Sequence, residues 1–307
     1  MLSHESRGYL LGLFAYLVWG LSPLFYKQLV NIPPFEIVGQ RIIWSAVFGI
    51  AGLMVWRLGH RLSEFRANPS RLFVMVLCGL LVSSSQVIYI WAVNNHQVVE
   101  ASMGYYISPL FNVLIGSFLL RERLRAIQWL SVFLAAVGVG SQVWHYGAVP
   151  WISLSLAGCF SLYGVIRKQA RILALPGMAM ENLLLCPLAI SWLVTTPGSI
   201  TGSAHYWGTG DAWWAVAVGP FTLIPLICFH AAAQRVPYAT LGFLQYLSPT
   251  LMLVLAATVF GEPLLNTTLV ALSFIWVGLG LYSVDLWYSS RNKPQPKSIN
   301  KKARLTD

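Results

Sequence analysis

The chain has 307 residues, 57% hydrophobic and only 10% charged, with a mean hydropathy of +0.65, where a soluble domain holds about 25% charged residues. That composition excludes a soluble enzyme. The net charge of +10 reflects 20 Lys and Arg against 10 Asp and Glu, and a nucleic-acid partner is excluded unless those cations gather on one face.

A hydrocarbon core about 30 Å thick takes about 20 apolar residues as a helix. Ten such windows follow one another, at 8–28, 35–56, 72–93, 99–120, 126–145, 150–166, 177–196, 212–234, 239–260 and 266–286. Lipid leaves backbone polar groups no other partner, so each is expected to be a helix. The first follows Arg7 and precedes no small-residue cleavage site, so it reads as a retained span and not a signal peptide. The sixth is the shortest and stops at Arg167-Lys168. Connectors are short, apart from a Gly/Ser/Thr-rich one at 197–211, and the Lys-, Pro- and Asn-rich tail after Tyr288 is expected to be disordered. Of the 20 basic residues, 18 precede span one or follow an even-numbered span, which puts both termini in the cytoplasm. The exceptions are Lys27 and Arg41.

Sliding the chain on itself by 140 residues aligns Tyr106/Tyr246, Ser108/Ser248, Pro109/Pro249, Glu122/Glu262, Leu124/Leu264, Val137/Val277, Gly138/Gly278 and Gly140/Gly280. Two halves of five spans follow, 1–147 and 148–288, with a basic tail at 289–307. Five is odd, so the second half enters from the opposite side. The predicted fold is an all-α integral membrane protein of ten transmembrane helices in two inverted repeats, an arrangement in which secondary transporters bind substrate near mid-membrane.

Each half ends in Ser-Pro, then Glu-x-Leu, then a Gly-x-Gly helix. With Trp19-Gly20-Leu21-Ser22-Pro23 and Lys27, Gln40-Arg41-Ile42-Ile43-Trp44-Ser45, Ile90-Trp91-Ala92-Val93-Asn94, Glu100-Ala101-Ser102-Met103-Gly104-Tyr105 and Gly242-Phe243-Leu244-Gln245-Tyr246, the chain resembles the EamA family of the drug/metabolite transporter superfamily, in its RarD branch. The resemblance implies a permease of the bacterial inner membrane that moves small organic solutes such as drugs, amino acids or aromatic metabolites by alternating access without ATP hydrolysis. A proton or another ion is a candidate coupling partner. A membrane-embedded enzyme and a channel are the alternatives, but the polar residues are scattered and suggest neither a nucleophile with its base nor a ring of like groups.

An Arg within a span is tolerated where it faces a wet cavity or a partner. Arg41, about 9 Å inside span two, is therefore the first candidate for substrate binding, or else for an ion pair with Glu181 that ties spans two and seven. Glu181 and Asn182 take the places in span seven that Gln40 and Arg41 take in span two. A carboxyl there is a candidate proton carrier or part of a helix start. Lys27, Glu36 and Glu100 map to the external rim, with Lys27 the nearest to the path. Gln86 and Tyr89 share a face of span three, and Tyr106 and Tyr246 occupy matching repeat positions. Trp19, Trp44, Trp91 and Tyr163 fall mid-span and suit an apolar cavity wall. Pro109 and Pro249 are expected to bend spans four and nine. The sequence contains no phosphate-binding Gly-x-x-x-x-Gly-Lys loop and no His-Glu-x-x-His helix, and Cys78, Cys159, Cys186 and Cys228 stand singly, so no metal or other cofactor is expected.

Overall fold

A computed structural model of the chain describes residues 4–62, 65, 68–120, 125–146, 149–170, 172–210, 212–233, 235–236 and 244–291. They form α1 (His4–Gly20), α2 (Ser22–Lys27), α3 (Pro34–Val55), α4 (Pro69–Asn94), α5 (Val98–Leu120), α6 (Ala126–Tyr146), α7 (Trp151–Ala170), α8 (Ala174–Thr195), α9 (Ala212–Ala233), α10 (Leu247–Thr258) and α11 (Asn266–Arg291), with single turns at Gly59–Leu62 and Tyr206–Gly208 and no strand among the described residues. Each predicted window overlaps a helix, and the start of the ninth, 239–243, lies outside the described residues. The first is split at Leu21, because Pro23 takes the second position of α2, where its missing N–H leaves no bond unmade. Prolines open α3 and α4 in the same way, and Asn68 caps α4 by accepting from the Ser70 amide at 3.1 Å. Pro249 lies in the first turn of α10 and not in a helix interior, so it removes no helical hydrogen bond there. The expected matching bends in spans four and nine are thus not matched in backbone setting. The tail from 292 onward and Glu122 lie outside the described residues.

Among the described residues six segments are long and apolar enough to cross a membrane, Glu5–Lys27, Pro34–Val55, Pro69–Asn94, Ala174–Thr195, Ala212–Phe229 and Asn266–Asp285, while the apolar stretches Ala126–Ser141, Trp151–Arg167 and Leu247–Thr258 are shorter. Large apolar side chains such as Val55, Phe73, Trp144 and Val194 point outward and are exposed, as a lipid-facing surface requires.

Among lipid tails helices gain little from hydrophobic burial, so close backbone approach and polar contacts carry the packing. The most extensive helix contacts are α6 with α11, α5 with α7 and α10, α3 with α8 and α9, α1 with α9 and α10, and α4 with α7 and α8. The α6–α11 crossing is built on glycine. A Cβ at Gly138 would sit 2.7 Å from the Ala271 carbonyl oxygen, and one at Gly278 would sit 2.8 Å from the Ser131 carbonyl oxygen. Gly140 and Gly280 meet nothing within 4 Å. Gly138→Leu and Gly278→Leu should each destabilise the protein by about 1–3 kcal/mol through overpacking, lowering the unfolding temperature in detergent, whereas Gly140→Leu and Gly280→Leu leave it in place.

Candidate functional site

α3 and α8 pack on each other and have 22 residues each, and Arg41 and Glu181 are each the eighth residue of their helix. By position along the helix the counterpart of Arg41 is Glu181 and not Asn182, but the helices run antiparallel, with Gly39 against Leu193 and Gly49 against Ala179, so the two charges lie at different depths. Both side chains are buried, at 3% exposure.

The expected Arg41–Glu181 ion pair is not formed. Arg41 Nη2 donates to Ser83 Oγ at 2.9 Å, and its Nε is buried without a partner. Glu181 instead pairs with Arg167, whose Nη1 donates to its carboxylate while Nη2 donates to the Ala174 carbonyl oxygen at 3.3 Å. Arg167 is thus no loop charge. α7 continues to Ala170 past the end of the apolar window, because the guanidinium finds an acid in the protein interior. Glu181 lies within electrostatic reach of Arg167 and Arg41, and Arg41 within reach of Tyr26 and Tyr163 as well. Asn182 spends its amide on the Met178 carbonyl oxygen of its own helix, 2.8 Å away.

Beside this group runs a series of aromatic rings. Centroid separations are 5.7 Å for Tyr26–Tyr89, 5.9 Å for Tyr89–Tyr105, 6.2 Å for Tyr105–Phe160 and 6.4 Å for Phe160–Tyr163. The series links α2, α4, α5 and α7. Gln86 and Tyr89 do share a face, and both reach α2: Tyr26 donates to Gln86 Oε1 at 3.2 Å, and the Tyr89 and Ser22 hydroxyls are 2.6 Å apart.

Other candidates point elsewhere. Gln40, one residue from Arg41, turns away and donates to the Thr201 carbonyl oxygen at 3.4 Å, among Leu29, Ile32, Ile37, Ala215 and Val218. Glu36 is not a rim charge but is 2% exposed. Its carboxylate accepts from the Ile200 amide at 3.1 Å and from the Thr201 amide and hydroxyl at 2.7 and 2.8 Å, which seats the 197–210 connector on the start of α3. Lys27 donates to the Val93 carbonyl oxygen at 3.2 Å and sits 5.6 Å from the Phe260 ring centre. Tyr106 bonds the Thr250 hydroxyl at 2.7 Å, and Tyr246 bonds Ser283. Trp44 lies near Trp207 and Phe48, with its Nε1 buried and unpartnered. Trp19 packs on Tyr16 and Phe229, away from the central charges.

Three polar contacts escaped the sequence reading. Glu262 accepts from the Val98 and Val99 amides at 2.9 Å each, and Asp285 pairs with Arg125 at 3.1 Å. The third is Arg167 with Glu181. The repeat had marked Glu262, but nothing local names a partner 164 residues away. No group of three or more His, Cys, Asp or Glu suited to a metal forms among the described residues.

The model of the EamA-like transporter family matches residues 6–141. The chain is 52% identical over 290 residues to an uncharacterized transporter of Pseudomonas aeruginosa, covering 94% of this chain and 97% of the relative. It is 41% identical over 287 residues to protein RarD of Salmonella typhi, covering 94% and 98%, and 39% identical over 285 residues to protein RarD of Escherichia coli, covering 93% and 96%. A crystal structure of a protein 23% identical, covering 96% of this chain and all of that one, has the same fold at a TM-score of 0.59. With the apolar spans, these likenesses make the chain a multi-pass membrane protein that belongs to the EamA-like transporter family, among its RarD-like permeases.

Proposed function

We propose that the protein is a secondary transporter that carries small organic solutes, such as drugs, amino acids or aromatic metabolites, across the bacterial inner membrane by alternating access without ATP hydrolysis. The observation that carries this reading is Arg41, a buried cation with an unspent donor amid helices from both halves of the chain. Such a group costs free energy in a membrane unless it serves a pathway.

Two inverted five-span halves, 1–147 and 148–288, suit the neighbour pattern, and the placement of 18 of the 20 basic residues supports cytoplasmic termini. Span four (α5) packs on span six (α7) as span nine (α10) packs on span one (α1), and span three (α4) packs on span six as span eight (α9) packs on span one. The α6–α11 glycine crossing repeats at the same offset of 140. Substrate passes between the halves, with Arg41, Gln86, Tyr89 and Glu181 nearest the central charges and Lys27, Gln40, Trp44, Tyr106, Asn182 and Tyr246 flanking the route. The pairing of Glu181 with Arg167 favours a fixed charge there over a proton carrier.

Counterflow in proteoliposomes tests the reading. A radiolabelled solute should show saturable, trans-stimulated exchange, and Arg41→Gln and Arg41→Ala should lower it about tenfold or more at equal incorporation. Unchanged exchange in both variants would remove Arg41 from the route, and flux that neither saturates nor counterflows would point to a channel.

A further inference from the structure

We infer that the substrate group held at Arg41 is a single negative charge, the carboxylate of a small organic acid. The inference rests on Arg41 lining the route proposed above.

The first argument is charge. Glu181 pairs with Arg167 and lies within electrostatic reach of Arg41 as well, one anion against two cations. The anion is already spent on Arg167. Arg41 is left with one hydrogen bond, to a neutral hydroxyl, and with an unpartnered Nε at 3% exposure. A buried charge without a counter-charge is the costliest group a protein interior holds, so the group that completes the site bears one negative charge.

The second argument is the donor inventory. Ser45, one turn from Arg41 on the same helix, is fully buried with its hydroxyl unpartnered. A guanidinium only donates. Its complement must accept, which a carboxylate does and an ammonium does not.

The third is what an amino acid would lack. Its ammonium needs a carboxylate of its own, yet Glu36 and Glu262 are held by backbone amides and Glu181 by Arg167, while Asp285, whose Oδ2 is unpartnered, sits on α11 against Arg125. Glu100 sits in the first turn of α5, within electrostatic reach of Glu262 and not of Arg41. The rings of Tyr26, Tyr89, Tyr105 and Phe160 beside the charges suit a flat apolar body.

The experiment uses the purified full-length protein with tritiated benzoate, competed by benzamide, benzylamine and phenylalanine, and the same four probes in proteoliposome counterflow. Benzoate should bind saturably and resist the other three. Arg41→Gln should weaken it about tenfold or more, as loss of a charge-assisted bond does, and Arg41→Lys should restore part of the loss. Competition by benzamide or benzylamine equal to that by unlabelled benzoate would overturn the inference in the unmutated protein alone, whatever the variants' folding. So would unchanged benzoate binding in Arg41→Gln, or no benzoate binding. If phenylalanine or benzylamine exchanges while benzoate neither binds nor moves, the inference falls and the transporter reading stands. Arg41-dependent benzoate binding without exchange of any probe sustains the anion site and defeats the transporter reading.

Discussion

Glu181→Gln should lower stability by about 3–5 kcal/mol, the usual cost of deleting one member of a buried ion pair. The side chains of Arg167 and Glu181 are 10% and 4% exposed, so water cannot take the place of the lost partner, and the variant leaves Arg167 buried without its anion. Arg167→Gln strands the carboxylate in turn and should cost a similar amount, softened because Arg41 still lies within its electrostatic reach. Replacing the pair by apolar residues, Arg167→Met with Glu181→Leu, removes both desolvated charges at once, and such exchanges are often near neutral. The double variant should therefore be more stable than either single one. Chemical unfolding in detergent micelles of Arg167→Met, Glu181→Leu and the double variant, read as a double-mutant cycle, decides the matter: strictly additive losses would mean that the two side chains do not interact energetically. A triple variant that also carries Arg41→Gln should be more stable than the apolar double, because it removes the remaining uncompensated cation.

The helices were legible because a bilayer sets both their length and their apolarity. The window at 35–56 becomes Pro34–Val55, and 212–234 becomes Ala212–Ala233. Where the reading failed, a charge had been taken as the end of a span. Arg167 closed the sixth window, yet the helix carries it inward to an acid that periodicity cannot reveal, since the partner lies across the interface with another helix. Neighbours in sequence also diverge in space. Successive helical residues are about 100° apart, so Gln40 looks to the 197–210 connector while Arg41 looks to Ser83 on α4. Gln86 and Tyr89 were placed correctly on one face because that inference needs only helical geometry. Which helix they meet is a property of the assembled bundle. The offset of 140 is visible in Gly138 and Gly278, whose small size expresses the α6–α11 crossing directly, whereas the equal places of Arg41 in α3 and Glu181 in α8 are hidden among dissimilar apolar residues.

Glu262→Ala should cost about 2–6 kcal/mol, because it orphans two backbone donors at about 1–3 kcal/mol each. The two carboxylate oxygens take the Val98 and Val99 amides at the first turn of α5, both at 2.9 Å, and Val98 is wholly buried. The site is also the positive end of a helix dipole, which adds to the preference for an anion. The loop is shaped for the contact. Gly261 adopts φ +65, a left-handed conformation that turns the chain after α10 so that Glu262 faces α5. Glu262→Gln keeps the shape but offers one acceptor, and its NH₂ opposes a backbone N–H, so it should recover only part of the loss. Gly261→Ala should destabilise through backbone strain without touching the carboxylate. Because the contact joins the two halves of the chain, its loss should also loosen that end of the bundle. With Val98→Cys as a reporter, a membrane-impermeant maleimide should label the Glu262→Ala protein faster than the protein that retains Glu262. Equal labelling rates together with unchanged unfolding temperatures would show that water or another side chain takes over the α5 amides, and that the carboxylate does not hold the halves together.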